Sequence, residues 1–211
     1  MIVQFGSRLN ELLAEAGFRP LDSDLVLRFE DYFDLLLRWN VKTNLTSIRD
    51  PEKVLRRHFA ESIACARLLP DGIFTLLDFG SGAGFPGIPI ALCRPEIAVT
   101  LAESQNKKAA FLREAVRTLG LKAQVHGDRA EAIETRFDLV TLRAVEHMDD
   151  AVASAARLVS DDGWLALLTT TVGQRKLCEA AGPRFCWQDP LPLPGGEYRI
   201  LALAQRKSAA D

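Results

Sequence analysis

The chain has 211 residues, 48% hydrophobic and 26% charged, with a formal net charge of −2. At ~150 residues per domain this predicts one full domain plus an appendage, and the composition excludes disordered, collagen-like and coiled-coil arrays. No apolar run approaches the ~18–20 residues of a membrane span. The first residues lack a signal peptide's pattern, and the four scattered cysteines, with no Cys-x-x-Cys pair, fit free thiols of a reducing cytoplasm.

Three helical patterns come first. Ile2, Phe5, Leu9, Leu12, Leu13 and Ala16 recur at helical spacing up to Gly17. Leu25, Phe29, Tyr32, Phe33, Leu36 and Trp39 form a second stripe. Asp50-Pro51, an N-cap followed by proline at the first helical position, opens a third helix. Leu55, Phe59, Ile63 and Ala66 face inward there, Pro70-Asp71-Gly72 closes the helix, and Lys53, Arg56, Arg57 and Ala60 fall on a displayed face.

Charge is uneven over this region. Residues 1–37 carry −4 and residues 38–67 carry +4, the latter from Arg38, Lys42, Arg49, Lys53, Arg56, Arg57 and Arg67 against Asp50, Glu52 and Glu61. A basic block in a nearly neutral chain reads either as a footprint for an anion or as a solvated helix face.

From Phe74 the rhythm changes. Apolar runs at Phe74–Phe79, Ala98–Ala102, Ala123–His126, Phe137–Leu142 and Trp164–Leu168 alternate with helical stretches, which predicts a parallel sheet covered on both faces. Phe185–Gln188 and Tyr198–Gln205, joined through Gly195-Gly196, read as an antiparallel pair. This is the chain order of class I methyltransferases. The expected architecture is α/β: a Rossmann-like, seven-stranded, mostly parallel sheet with an antiparallel C-terminal hairpin, under an N-terminal helical cap. The expected division is 1–72 for the cap and 73–211 for the cofactor-binding domain.

The most specific local signal is Leu77-Asp78-Phe79-Gly80-Ser81-Gly82-Ala83-Gly84-Phe85-Pro86-Gly87, directly after the first core strand. Glycines allow a sharp turn and close approach of backbone to a ligand, and the helix that follows offers free N–H groups. Gly80, Gly82 and Gly84 fit the G-x-G-x-G loop of S-adenosylmethionine enzymes. Gly82, Gly84 and Gly87 fit the dinucleotide G-x-G-x-x-G equally well. Glu103, about twenty residues on, suits the ribose hydroxyls of either cofactor. The terminal antiparallel pair and the absence of a Tyr-x-x-x-Lys pair favour S-adenosylmethionine. The polar Gly127-Asp128-Arg129-Ala130-Glu131 stretch after the third strand falls where an adenine edge would lie, with a solvated loop as its plain alternative.

Trp39-Asn40, Asn44-Leu45-Thr46-Ser47, Asp50-Pro51, Arg57-His58 and the Gly80–Gly87 loop together resemble the small-subunit rRNA guanine-N7 methyltransferases, the glucose-inhibited division protein B family. Glu103, Lys107, Ala130-Glu131 and Leu142-Arg143-Ala144 extend the resemblance, which covers about residues 35–145 with specificity. It implies transfer of a methyl group from S-adenosyl-L-methionine to N7 of one guanine in 16S rRNA of the small ribosomal subunit. It further implies that Gly80 and Phe85 line the cofactor site, Ala130 and Glu131 hold the adenine end, and Arg143 sits beside cofactor and substrate. The chain departs from the family pattern after the fifth strand, where a Lys-Gly pair is replaced by Thr169-Thr170-Thr171-Val172-Gly173.

The chemistry agrees with this reading. Amino-group methylation uses an Asn/Asp-Pro-Pro-aromatic segment where this chain has Thr141-Leu142-Arg143-Ala144, and the Pro-Cys of cytosine C5 methylation is missing. Guanine N7 needs neither, because its in-plane lone pair is free at neutral pH. No general base is therefore expected, and Arg143 is cast as a positioner or, alternatively, a structural ion pair. Arg56, Arg57 and His58 are the candidate RNA contacts; a lone histidine also reads as a satisfied core residue. No metal site, no membrane and a cytoplasmic monomer are expected. The alternatives are a dinucleotide-dependent oxidoreductase and a cofactor-binding ribosome assembly factor without turnover.

Overall fold

The computed structural model describes residues 5–208. Helix α1 (Phe5–Glu15) buries Phe5, Leu9, Leu12 and Leu13; Ile2 lies outside the described residues, and Ala16 is exposed beyond the helix end. Helix α2 (Ser23–Thr43) is capped by Asp22, whose side chain accepts from the Leu25 amide, and it stops at Asn44 in the left-handed conformation. It buries Phe29, Tyr32, Leu35, Leu36 and Asn40, so the predicted stripe shifts slightly, leaving Leu25 and Trp39 only partly buried against the core.

The third helical pattern resolves into α3 (Pro51–Val54), a π-helical turn (Leu55–Ala60) and α4 (Glu61–Leu68). Asp50 caps its start by accepting from the Glu52 amide. A π turn holds more residues than an α turn and shifts the faces that follow it. Ala60, grouped by periodicity with the displayed residues, is accordingly fully buried.

The sheet runs in the order β3-β2-β1-β4-β5-β8-β6. Its parallel strands are β1 (Thr75–Phe79), β2 (Ala98–Ala102), β3 (Gln124–His126), β4 (Phe137–Arg143) and β5 (Val159–Thr170). Strand β8 (Arg199–Arg206) inserts antiparallel between β5 and β6 (Phe185–Trp187). The Pro-rich link, expected to be turn alone, contributes a two-residue strand β7 (Leu191–Pro192) that continues the edge beside β8. The sheet therefore has eight strands rather than seven. The connecting helices are α5 (Gly87–Cys93), α6 (Asn106–Thr118), α7 (Met148–Arg157) and α8 (Thr171–Ala181).

Period-two alternation divides the strand residues between two layers. Leu76, Leu139, Ala166, Leu201 and Leu203 join the helices of residues 5–68, α5 and α6 in one cluster. Leu77, Val140, Leu165, Leu167, Ala202 and Ala204 face α7 and α8 in another. The N-terminal helices thus share a continuous core with one face of the sheet. They meet the site through ring contacts on Phe85: His58 lies 4.8 Å from it, ring centroid to centroid, Tyr32 5.1 Å and Phe59 5.2 Å. The Tyr32 hydroxyl also donates to the Ala83 carbonyl at 2.5 Å.

Candidate functional site

A cleft of ≈ 840 Å³ opens at the C-terminal ends of the parallel strands, where open α/β sheets bind ligands. One wall belongs to β1, β2 and the loop after β3, and carries Gly80, Gly82, Phe85, Glu103, Ala130 and Glu131. The same cleft is also lined by Arg57, His58, Arg143 and Arg199, with His58 stacked on Phe85 at 4.8 Å between ring centroids.

The glycine turn has a backbone that other residues would strain. Gly84 has φ +89°, and a Cβ there would stand 2.5 Å from Ile88 Cδ1 and 2.9 Å from the Tyr32 hydroxyl. Gly82, at φ +57°, differs: a Cβ would meet only the Gly80 carbonyl, at 3.9 Å, and would project into the cleft wall. A ligand can therefore lie against bare backbone at Gly82. Gly84 lies below this surface, where its lack of a side chain permits tight packing.

Below the turn, Asp78 is buried and receives the Gly87 amide at 3.2 Å and the Thr141 hydroxyl at 2.9 Å. Burial raises its pKa to about 6, an effect opposed by these hydrogen bonds. Glu103 is buried and accepts from the Gly82 amide at 2.9 Å and the Gln105 amide at 2.8 Å. It ties the end of β2 to the turn while presenting a carboxylate to the cleft. Ala130 is buried and Glu131 exposed in a single 3₁₀ turn (Ala130–Ala132).

The placement of Arg57, His58 and Arg143 depends on the π turn. In an α-helix the Glu61 amide would donate to the Arg57 carbonyl. Here it donates to the carbonyls of Arg56 and His58, and the Arg57 carbonyl accepts from the Arg143 guanidinium. Arg143 also donates to His58 Nδ1 at 2.9 Å, and His58 Nε2 meets Thr46 Oγ1 at 2.8 Å. Burial, followed by the charges of Arg143 and Arg57, pushes the His58 pKa down to about 3. His58 is thus neutral at pH 7, and both its ring nitrogens are committed within the protein. It has the satisfied-core geometry rather than a free nitrogen for phosphate.

Three arginines converge on Glu61, whose side chain is fully buried. Arg199 lies at 2.6 Å, Arg143 at 3.4 Å and Arg57 at 3.5 Å. Arg143 is only 6% exposed and Arg57 37%. Burial lowers the Arg143 pKa and Glu61 opposes that effect. Arg56 is not part of this cluster; its guanidinium turns to Glu52 at 3.5 Å and Glu15 at 3.9 Å, beside Arg8.

Sequence reasoning named most residues of the glycine-bearing side of the cleft but missed Asp78, Glu61 and Arg199. Asp78 stood inside the glycine motif. Glu61 stood four residues after Arg57, at ion-pair spacing on a helix, and counted only towards net charge. Arg199 carried no local signal, because β8 delivers it from far along the chain.

The strand order, with β8 antiparallel between β5 and β6, together with a glycine turn and an acidic residue ending β2, defines a class I methyltransferase. The chain belongs to the rRNA small subunit methyltransferase G family, whose profile matches residues 26–182. A ribosomal RNA small subunit methyltransferase G of Stenotrophomonas maltophilia is 40% identical over 201 residues, covering 92% of each chain. One of Neisseria meningitidis serogroup A is 45% identical over 161 residues, covering 72% of this chain and 76% of its own. Among solved structures, a SAM dependent methyltransferase from Aquifex aeolicus shares the fold with a TM-score of 0.59 at 18% identity, over 78% of this chain and 97% of that one. Family membership removes the dinucleotide-dependent oxidoreductase, which the glycine spacing alone had left open. It also fixes the protein as an S-adenosylmethionine-dependent methyltransferase.

Proposed function

We propose that this enzyme methylates N7 of a guanine in 16S rRNA of the small ribosomal subunit, as a cytoplasmic monomer. The carrying observation is the cleft itself: bare glycine backbone, a buried carboxylate and an arginine cluster line one cavity. The exposed face at Gly82 and the cleft volume fit S-adenosylmethionine, for which Gly80, Gly82, Phe85, Glu103, Ala130 and Glu131 are the proposed holding residues, with Gly84 packed beneath the turn. That cofactor supplies an electrophilic methyl group on a sulfonium sulfur. Glu103 has lone pairs left for two ribose hydroxyls after its bonds to Gly82 and Gln105.

The target nitrogen carries no proton, so the enzyme's task is alignment, and alignment alone supplies ~7–11 kcal/mol in well-oriented reactions. His58 fits this reading as a positioning residue, since its neutral ring is fixed between Phe85 and Arg143. Arg143 holds His58 and the Arg57 carbonyl rather than acting as an acid. Arg57 is the proposed RNA contact from the basic block; Arg56 stands outside the cleft and would meet RNA only at its margin. The Cys65, Cys93, Cys178 and Cys186 thiols are all free, which supports a reducing compartment.

Tritiated methyl transfer into small subunits lacking the modification, followed by nucleoside analysis, tests the reading. The expected product is 7-methylguanosine from 16S rRNA. Label on an exocyclic amine, ribose or protein would refute the N7 assignment. Stoichiometric subunit binding without label would indicate an assembly factor instead.

A further inference from the structure

The Glu61 cluster has more positive charge than the fold itself uses. Three guanidiniums share one fully buried carboxylate. Asp78 adds a second negative charge that acts on Arg143 from below. One positive charge is still unmatched, in a place partly withdrawn from water where unpaired charge is costly. Arg57 is the most exposed of the three, and its Nε is buried without a hydrogen-bond partner among the described residues. The arrangement is completed by a charged group of opposite sign entering from the cleft.

The surroundings are built to hold these arginines. Arg199 makes a two-pronged contact with Glu61, Nη2 to Oε1 at 2.6 Å and Nε to Oε2 at 3.2 Å. Gly195 lies over the cluster so closely that a Cβ would stand 2.6 Å from Glu61 Oε2 and 3.5 Å from Arg57 Cδ. The Thr171 amide donates to the Tyr198 carbonyl at 3.0 Å, which brings the start of α8 against this loop. Tyr198, next to Arg199 in the chain, is 63% exposed.

The place of Arg199 in the sheet sets it apart from the residues proposed for the cofactor. Strand β8 is the third strand from β1 on the side away from β2 and β3. At ≈ 4.8 Å per strand, the start of β8 lies ~14 Å from the strand that leads into the glycine turn. The residues proposed for the cofactor extend the other way, through Glu103 to Ala130, while Arg143 of the cluster lies over Phe85, 6.0 Å from its ring centroid. Arginine paired with an exposed aromatic ring is the chemistry that takes the phosphate and base of single-stranded RNA.

We propose that Arg57 and Arg199, held by the buried carboxylate of Glu61, form a phosphodiester subsite for the RNA strand flanking the methylated base, with a neighbouring base on Tyr198. This rests on the RNA-methyltransferase reading above, and its test is separable from that reading. Arg57→Gln, Arg199→Gln, Arg199→Lys and the double glutamine variant are compared with Arg136→Gln. The last removes one positive charge next to the opposite end of β4. Small-subunit binding is measured across a salt series, S-adenosylhomocysteine binding by calorimetry, and folding by thermal melting.

The expected result is about tenfold weaker subunit binding for each glutamine variant. The log–log salt slope should become shallower by ~1 for each lost phosphate contact. Arg199→Lys should recover the slope but not the full affinity, because lysine cannot reproduce the fork. S-adenosylhomocysteine affinity should stay within twofold of wild type. A loss of S-adenosylhomocysteine binding with unchanged subunit binding would assign the cluster to the cofactor's carboxylate and overturn the proposal. Unchanged affinity and slope in folded Arg57→Gln, or an equal loss in Arg136→Gln, would also overturn it. Tyr198→Ala should weaken subunit binding without changing the salt slope, and no loss there would remove the base contact. If wild type binds subunits and shows these effects but transfers no methyl group, the enzymatic reading fails while the subsite stands.

Discussion

His58 lies nearly parallel to Phe85, with ring centroids 4.8 Å apart and planes 18° from parallel, while Arg143 donates to its Nδ1. A guanidinium only donates, so Nδ1 must accept and Nε2 must carry the proton that Thr46 Oγ1 receives. One tautomer of a neutral ring therefore joins the N-terminal segment, the π turn, the glycine turn and the end of β4. A second proton would break the Arg143 bond and place two cations in contact.

That relationship makes stability depend on pH in a definite direction. The His58 pKa falls from 6.5 to about 3 on folding, so between those values the unfolded chain binds a proton that the folded chain does not. Stability is lost as pH falls below ~6.5, by at most ~1.4 kcal/mol per unit, and is unaffected by this group above that value. Asp78 acts in reverse: its folded pKa of about 6 exceeds the reference 3.8, so acidification through that window favours the folded state. The two are separated by comparing wild type with His58→Asn in urea at pH 7.5 and pH 5. Wild type should lose ~2 kcal/mol more than the variant over that interval. Equal losses would show that His58 is not held neutral.

Gly82 and Gly84 should separate ligand approach from packing. Gly84→Ala brings a left-handed backbone, at ~1–2 kcal/mol, together with a collision on Ile88 and Tyr32 at 2.5 and 2.9 Å. Overpacking adds ~1–3 kcal/mol, so urea unfolding should show a combined loss near 3–4 kcal/mol. Gly82→Ala meets no atom closer than 3.9 Å and should show only the backbone cost. Both should reduce S-adenosylhomocysteine binding at least tenfold by calorimetry, Gly82→Ala through obstruction of the cleft. A well-folded Gly82→Ala that binds normally would place the ligand elsewhere.

Glu103→Gln tests the acidic end of β2. Its carboxylate receives two backbone amides now and, in the proposed site, the ribose hydroxyls. Hydrogen bonds to a charged group contribute ~1.5–3 kcal/mol, which corresponds to ~10- to 150-fold weaker S-adenosylhomocysteine binding. The melting temperature should fall by only a few degrees, since glutamine keeps one acceptor for the amides. Equal affinity in wild type and variant would leave Glu103 as a brace for the glycine turn alone.

The parallel strands and the glycine turn of the candidate site were legible because their signals are local. Alternation of apolar residues marks β1 and β4, and the glycine turn lies within eleven consecutive residues beside its strand. The π turn was not legible: Leu55, Phe59, Ile63 and Ala66 satisfy an α-helical period, and the Arg57 carbonyl that the turn leaves free is met by Arg143, 86 residues away in the chain. The cluster pairs Glu61 with Arg199, 138 positions away, so no window of sequence contains it. Arg56 and Arg57 are adjacent and identical in type, and only the turn of the helix sends one to Glu52 and the other to the cleft.

Glu61 gives the strongest test of how the two halves of the fold are joined. Removing one partner of a buried ion pair costs ~3–5 kcal/mol, because the remaining charge is left uncompensated. Glu61→Gln keeps the shape and leaves Arg57, Arg143 and Arg199 without their shared counter-charge. Urea unfolding should show a loss in that range. Adding Arg199→Gln removes one repelling cation and the group left unpaired, so the double variant should be less destabilised than the sum of the singles. The coupling should exceed ~1 kcal/mol and persist at high salt, as expected for a pair whose carboxylate is buried. Additive losses would mean that Arg199 and Glu61 stabilise the fold independently, and the cluster would then be three separate contacts rather than one charged unit.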